Sequence, residues 1–306
     1  MIFSRPTKII THSGSFHADD VFGCAVLAYY FEQKNKRYKI IRTRDEKVIE
    51  KGDIVLDVGT VYEPKQQRFD HHQQGGAGKR ENGIPYASFG LVWKEYGPLL
   101  CTHQDHVEDI DRRLVQPIDA IDNGISISES IECGLYDYGI HGIISAYQST
   151  WKDSSNSKLQ DANFLELVKF FKNIIKREIQ RSEDRMELLE IIQNAYDSAG
   201  DARIIEIPYH TGIGSIMHVL GDHPEVQYVV ARSGKNWKAL ALRKEACSFE
   251  SRTPFPESWA GKRDNELQKE TGVHDAVFCH NALFLAVAES KEGAWRLAEE
   301  SLKKRS

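Results

Sequence analysis

Hydrophobic and polar positions in the first sixty residues switch between two rhythms. Lys8-Ile9-Ile10-Thr11 is a short apolar run suited to a buried strand, and it leads directly into His12-Ser-Gly-Ser-Phe-His-Ala-Asp-Asp20. From Asp20 to Gln33, Val21, Phe22, Cys24, Ala25, Val26, Leu27, Tyr30 and Phe31 leave almost no polar face, which predicts a helix buried on nearly all sides. Tyr38 to Arg42 and Asp53 to Asp57 predict two further strands, the second closed by Gly59. Strand and helix taking turns in this way predict a parallel α/β sheet. Such sheets bind ligands beyond the carboxyl ends of their strands, where His12 and Asp57 fall.

A Gly-rich polar loop, Gln73 to Gly83, is followed by helical patterns over Ala87 to Tyr96 and Asp109 to Ile121. After a polar stretch at Lys152–Lys158, Ile, Leu and Phe recur at helical spacing from about Ala162 to Ala199. Short strand patterns then occupy Ile204–Ile207, Val226–Arg232, Trp237–Leu242, Ala276–Cys279 and Leu283–Ala288, and a helical pattern closes the chain over Glu292 to Lys303. These patterns predict an α/β domain over residues 1–155, a helical connector over 156–200 and a smaller α+β domain over 201–306.

Composition narrows the functional classes. The 306 residues suffice for about two domains. With 40 Lys and Arg against 45 Asp and Glu the net charge is −5, whereas proteins that coat a nucleic-acid backbone carry a basic excess. Any nucleic-acid contact must therefore come from a local patch or from metal ions. No run of ~18 apolar residues marks a membrane span. Met1 to Thr7 has neither the apolar core of a secretory signal nor a long Arg- and Ser-rich transit pattern, so a cytosolic location is expected. Cys24, Cys101, Cys133, Cys247 and Cys279 are odd in number and widely spaced, which argues against a disulfide framework or thiolate zinc site and predicts buried free thiols.

Four polar clusters carry the candidate chemistry: His12 with His17-Ala-Asp19-Asp20, Asp57, Asp70-His71-His72, and Asp119 with Asp122-Asn-Gly124. A His at a strand end or an Asp in a turn is often structural, but three of these clusters follow apolar elements, and all offer imidazole or carboxylate. That ligand mixture, without thiolate, suits Mn²⁺ or a similar divalent ion better than structural zinc. Two ions ~3.5–4 Å apart need a bridging carboxylate. Asp57, on a central strand, is the natural candidate.

His12-Ser-Gly-Ser-Phe-His-Ala-Asp-Asp-Val21, Asp57-Val-Gly59, Arg68-Phe-Asp-His-His-Gln73 and Asp119-Ala-Ile-Asp-Asn-Gly124 resemble the four motifs of the melanocyte-proliferating-gene exonuclease family, a branch of the Asp-His-His phosphoesterases. Ile84-Pro-Tyr-Ala-Ser-Phe-Gly-Leu-Val-Trp93 and Ser248-Phe-Glu-Ser-Arg with Pro256-Glu-Ser-Trp-Ala-Gly261 extend the resemblance over almost the whole chain. It implies a DHH-type catalytic domain and a metal-dependent 3′–5′ exonuclease acting on single-stranded RNA or short oligonucleotides, with two ions (Mn²⁺, or else Mg²⁺) activating a water. In eukaryotes it also implies mitochondria and nucleus. By the family pattern His12, His17, Asp19, Asp57, His71 and Asp122 ligate metal, while Asp70 and His72 orient ligands or contact phosphate. His17 departs from the wider superfamily, which usually carries Asp there.

The second half departs further: Cys279-His280-Asn-Ala-Leu-Phe-Leu285 stands where relatives carry a His followed by small residues and glycines. His280, Arg252 and Arg263 are the candidate substrate contacts. Arg232, Lys235, Lys238, Arg243 and Lys244 offer a further basic face, though on alternating strands such charges usually face solvent. Trp151, Trp237 and Trp259 offer base stacking, with core packing as the commoner fate. The acidic net charge and the lost glycines favour an alternative, a phosphatase or pyrophosphatase acting on small molecules such as nucleotides with the same ions. A homodimer is compatible with the sequence, which leaves oligomeric state open.

Overall fold

Ile9 and Ile10, both fully buried, sit in strand β1 (Thr7–Thr11), the apolar run with which the first sheet begins. The computed structural model describes residues 5–128, 135, 138–153 and 155–304. Contacts divide the chain into two compact units, Met1–Glu183 and Asp184–Ser306.

In the first unit β2 (Tyr38–Arg42), β1, β3 (Ile54–Leu56), β5 (Arg68–Phe69) and β4 (Tyr62–Glu63) lie side by side in that order. The pairs β1–β2, β1–β3 and β3–β5 are parallel, and β4 runs antiparallel at one edge. Three adjacent strands therefore end on one side of the sheet: β1 at His12, β3 at Asp57, and β5 at Asp70-His71-His72. Neighbouring strands are spaced ~4.8 Å apart, so polar residues that are distant in sequence become lateral neighbours.

Helix α1 (Ala18–Gln33) is buried along nearly its whole length, as its uniform apolarity requires. It lies against α3 (Ser88–Leu100), with Phe22 and Phe89 ring centroids 5.2 Å apart. A short helix, α2 (Glu46–Ile49), leads into β3. A helical pattern was expected over Asp109 to Ile121, and a continuous helical run covers it, with α4 (Gln104–Ile110) and α5 (Gln116–Asp122) joined through a widened π-type turn at Asp111–Val115. Pro117 has no N–H to give to the preceding turn, which favours such widening. After α6 (Ile140–Ala146) comes α7 (Ser157–Asp197), whose 41 residues contain the boundary between the units. Phe164, Leu167, Phe171 and Ile175 belong to the first core, and Ile192 to a core of the second.

The second unit is built on a sheet ordered β6 (Ile204–Ile207), β7 (Tyr228–Ser233), β8 (Asn236–Ala241), β10 (Leu285–Ala288) and β9 (Ala276–Cys279). Only β6 and β7 pair in parallel, joined through α8 (Ile213–Leu220); β7–β8, β8–β10 and β9–β10 are antiparallel. Two apolar clusters form here. One gathers Tyr228, Phe255, Trp259 and Leu297 of α10 (Lys291–Lys303), the other Ile192, Ile205, Ile216 and Leu220. Helix α9 (Asp264–Thr271) buries only Leu267 and Thr271, too few apolar positions to give a periodic signal.

Cys24 and Cys279 are buried and Cys101 partly so, but Cys247 is exposed, against expectation, in the polar segment after β8; Cys133 lies outside the described residues. Among the described residues no helix is long and apolar enough to cross a membrane.

Two helices of the first unit are joined by one carboxylate. Asp119 of α5 is fully buried; its Oδ1 accepts the Gly90 N–H at 3.0 Å and its Oδ2 accepts from Arg80 at 2.8 Å. Gly90 lies in the first turn of α3, where backbone N–H groups have no partner within the helix. Arg80 also grips Asp111, Nε at 2.9 Å and a terminal nitrogen at 2.6 Å. A Cβ on Gly90 would stand 1.9 Å from Asp119 Oδ2. Gly90→Ala is therefore expected to destabilise the protein by about 1–3 kcal/mol, read from urea unfolding without added metal. Wild-type stability would show that the α3–α5 contact can widen freely.

Candidate metal centre

His12 follows β1, and Ser13-Gly14 turns the chain with Gly14 at φ +97°. His17 occupies the N-cap of α1, and its N–H donates to Asp20 Oδ1 at 2.9 Å. Asp19 and Asp20, both fully buried, fill the first helical turn, the end of a helix that favours negative charge. Asp57 is held at φ +54°, a left-handed conformation that Asp and Asn tolerate better than most residues. Gly59 at +97° and Thr60 at +54° complete a tight turn beyond it.

These carboxylates converge on two imidazoles. His12 Nε2 is 3.1 Å from Asp20 Oδ2 and 3.1 Å from Asp57 Oδ2. His71 Nε2 is 3.2 Å from Asp122 Oδ2, 3.5 Å from Asp57 Oδ1 and 3.8 Å from Asp19 Oδ2. Ser88, at the start of α3, donates to Asp57 Oδ1 at 3.2 Å. Asp70 faces the other way: its Oδ2 accepts the Thr60 N–H at 2.6 Å and its Oδ1 lies 2.8 Å from His72 Nδ1. The His72 ring is more than half exposed. His12, His17, Arg44, Asp57, Asp70 and His72 border a cavity of about 280 Å³.

Three groups, two of which share Asp57, could each hold an ion: His12 with Asp20 and Asp57, Asp57 with His71 and His72, and His17 with Asp19 and Asp122. In each, the ligand atoms lie within 4.8 Å of one another, and Asp57 belongs to two of the groups. The donor set fits a divalent cation for a reason visible in its hydrogen bonding. Among the described residues, both oxygens of Asp19, Oδ2 of Asp20 and Nε2 of His71 are buried and make no hydrogen bond beyond the imidazole–carboxylate approaches given above. Buried polar atoms of this kind are costly unless a cation or proton satisfies them.

Electrostatics give the same picture. Burial, together with the charges of Asp57 and Asp122, drives the Asp19 carboxyl well above the usual carboxylate range, and burial raises Asp20. Burial also acts on Asp57, but the facing imidazoles of His12 and His71 outweigh it and hold this carboxyl below its ordinary value. Burial opposes charge on His12, yet Asp20 and Asp57 push it up to about 10. Burial likewise opposes charge on His71, and Asp122 and Asp57 push it up to about 10. The surrounding carboxylates thus favour protonation of both imidazoles in the metal-free protein.

Of the expected ligands, the structure brings His12, His17, Asp19, Asp57, His71 and Asp122 into one neighbourhood, with Asp70 and His72 beside them. Asp20 was not anticipated as a ligand. Its place next to Asp19 was the available signal, but the N-cap hydrogen bond is reason enough for an Asp there. His141 of α6 was also missed; it lies within electrostatic reach of Asp122 and His17.

The three expected substrate contacts lie in the second unit. Arg252 needs correction: its terminal nitrogens donate to the carbonyls of Leu220, Gly221, His223 and Val226, which closes the end of α8. Helix-end carbonyls lack partners inside the helix, and this guanidinium supplies them. Arg263 stands at the N-cap of α9 with its guanidinium 4.4 Å from the Phe278 ring centroid. The His280 ring lies 4.4 Å from Phe284, and its Nδ1 accepts the Ala282 N–H at 3.0 Å. The wider basic face is largely engaged, with Lys244 paired to Glu250 and Lys238 donating to the Thr211 carbonyl. Trp259 is buried, Trp237 lies under Arg232, and Trp151 is exposed.

A mostly parallel sheet that presents clustered carboxylates and imidazoles at adjacent strand ends defines an α/β protein equipped for divalent metal. Residues 8–302 match the MYG1 exonuclease model, described as uncharacterised protein family UPF0160, and the chain belongs to that family. The MYG1 protein of Chlamydia pneumoniae is 31% identical over 98% of this chain and 98% of its own. The MYG1 protein of Dictyostelium discoideum is 29% identical over 96% of each, and the MYG1 exonuclease of Rattus norvegicus 29% identical over 98% of this chain and 86% of its own. The family is the one that the motifs resemble. Among solved structures, the exonuclease RecJ bound to manganese is similar at 10% identity over 97% of this chain and 90% of that one, with a TM-score of 0.28, too low to establish a shared fold.

Metal ligation requires neutral imidazole, so an entering cation must displace protons from His12 and His71. Calorimetric titration of metal-free protein with Mn²⁺ at neutral pH, in buffers of different ionisation enthalpy, is expected to show net proton release. Affinity should rise with pH up to about 10. For the metal-free fold the sign is opposite: the raised values stabilise it fully below the ordinary imidazole value of 6.5, and that stability is lost as pH rises through about 10. Binding without proton release at any pH would mean that neither imidazole is protonated beforehand.

Proposed function

We propose that this protein is a metal-dependent phosphodiesterase, a 3′–5′ exonuclease that shortens single-stranded RNA with two Mn²⁺ ions. The observation that carries the reading is Asp57, whose two oxygens face different imidazoles, Oδ2 towards His12 and Oδ1 towards His71. The exonuclease names of the rat, mouse and human relatives agree with it. A pair of divalent ions supplies Lewis acidity, a bound water of lowered pKa and neutralisation of phosphoryl charge.

The chain's own residues then divide the work. Asp57, fixed by its turn and by Ser88, offers one oxygen to each ligand group. His12, Asp20, His71, Asp19, His17 and Asp122 complete the two sides. Asp70, anchored by the Thr60 N–H, accepts from His72 Nδ1 and so leaves Nε2 of the exposed imidazole to exchange a proton with the leaving oxygen. Arg44, on the rim of the cavity, supplies a cation for a non-bridging phosphate oxygen. In the same reading the α+β unit serves substrate binding, with His280 and Arg263 as its contacts.

One feature favours a second reading, hydrolysis of small phosphoesters. The cavity at the centre holds about 280 Å³, bordered by a single arginine in a chain of net charge −5. The two readings part on a gel. Metal-free protein is incubated with 5′-labelled single-stranded RNA and Mn²⁺, Mg²⁺ or chelator. A one-nucleotide ladder shrinking from the 3′ end, only with metal, is the expected result. Intact RNA together with phosphate released from nucleotides would transfer the assignment to the small-molecule reading.

Asp57→Asn is expected to lower turnover by more than about 100-fold, the upper range for changes that merely support a ligand, and to weaken metal binding while far-ultraviolet circular dichroism stays native. Full activity in that variant would remove Asp57 from the bridging position. His72→Ala should reduce turnover with metal affinity nearly unchanged, and an equal loss of both would make His72 a ligand instead.

A further inference from the structure

A second cavity, of about 690 Å³, opens in the first unit around the C-terminal end of α5. Leu114, Ile118, Ile121, Ile125 and Ile127 give it apolar walls, and His141 of α6 joins them. Ile118 is buried, but Ile121, Ile125 and Ile127 are 36%, 42% and 55% exposed. A packing void would be closed over by its lining; this cavity leaves three isoleucine side chains open to water. Its size lies within the ~300–1,000 Å³ of small-molecule sites, which are mostly apolar with a few placed polar groups.

Two features tie the cavity to the metal centre. Ile121 immediately precedes Asp122, so one wall continues directly from a candidate ligand. His141 lines the cavity and also feels the charges of Asp122 and His17. Its Nε2 is shielded from solvent and has no hydrogen-bond partner among the described residues. An occupant with apolar faces and a hydrogen-bonding edge would satisfy both the isoleucines and this nitrogen.

We infer that the cavity receives the nucleobase of the nucleotide whose phosphate is held at the metal centre, its faces against Ile121, Ile125 and Ile127 and its polar edge at His141 Nε2. The inference rests on the phosphodiesterase reading. A flat heteroaromatic ring has the required mixture of apolar face and polar edge, and its sugar joins it covalently to the phosphate. Arg113, also on the wall, is already paired with Asp109 and Glu178. Ser126, whose hydroxyl donates to the Ser128 carbonyl, and Ser128 also line the cavity, and with so few polar groups beside His141 the site grips a base without choosing strongly among bases.

The test is calorimetric binding of nucleoside 5′-monophosphates and of ribose 5-phosphate to the Mn²⁺-loaded protein. Wild type is expected to bind each of the four nucleotides at least about 10-fold more tightly than the base-free sugar phosphate, a factor worth about 1.4 kcal/mol. Ile125→Asp and His141→Ala should collapse that preference. Ile127→Ser, at the more exposed position, keeps the result readable if Ile125→Asp disturbs folding. Equal binding of nucleotide and ribose 5-phosphate by wild type, no binding of either, or an unchanged preference in the folded variants would overturn the inference. RNA cleavage without a base preference removes the cavity's role and leaves the phosphodiesterase reading standing. A base preference sensitive to these variants, in a protein that leaves RNA intact, does the reverse.

Discussion

Asp19, Asp20, Asp57 and Asp122 surround His12 and His71 with more carboxylate than two imidazoles can neutralise, and most of it is buried. Like charges at such separations repel strongly where water is excluded. The fold holds them there because they come from three separate rigid elements: Asp57 from the end of β3, Asp19 and Asp20 from the first turn of α1, and Asp122 from the last turn of α5. Asp119, one turn before Asp122, is clamped by Arg80 and by the Gly90 N–H, and this fixes the helix that delivers the fourth carboxylate. The repulsion is thus set against the packing of the whole first unit, and a cation or a pair of protons relieves it.

Much of the first sheet was legible because β1, β2 and β3 are apolar runs and α1 is apolar all round, so neither needs a partner to be recognised. The two-residue strands β4 and β5 were not legible, since their existence depends on pairing with each other and with β3 rather than on any pattern of their own. Helix α9 escaped for the opposite reason: it is polar except where Leu267 and Thr271 turn inward. The widening at Asp111–Val115 had Pro117 as its one sequence sign.

The candidate centre was more legible than the fold around it. Clustered His and Asp at strand ends have few structural uses, and the strand order made lateral neighbours of His12 and Asp57, 45 positions apart, and of Asp57 and Asp70, 13 apart. What sequence could not reveal was which polar residues already had partners. Arg252 looked like a phosphate contact and instead serves four carbonyls, whereas His141 drew no notice in the sequence and has a buried nitrogen without a hydrogen-bond partner among the described residues. Side-chain chemistry is written in the residue type, but its availability is decided by tertiary neighbours.

Helix α7 contributes Phe164, Leu167, Phe171 and Ile175 to one core and Ile192 to another, along a single uninterrupted run of backbone hydrogen bonds. Helix formation is cooperative, so fraying that begins at one end lowers the resistance of the next turns. Thermal disorder in either core therefore has a continuous path into the material of the other. A protease that opens the middle of α7 would take side chains from both of these clusters in one event, while the cluster around Trp259 draws no described residue from this helix.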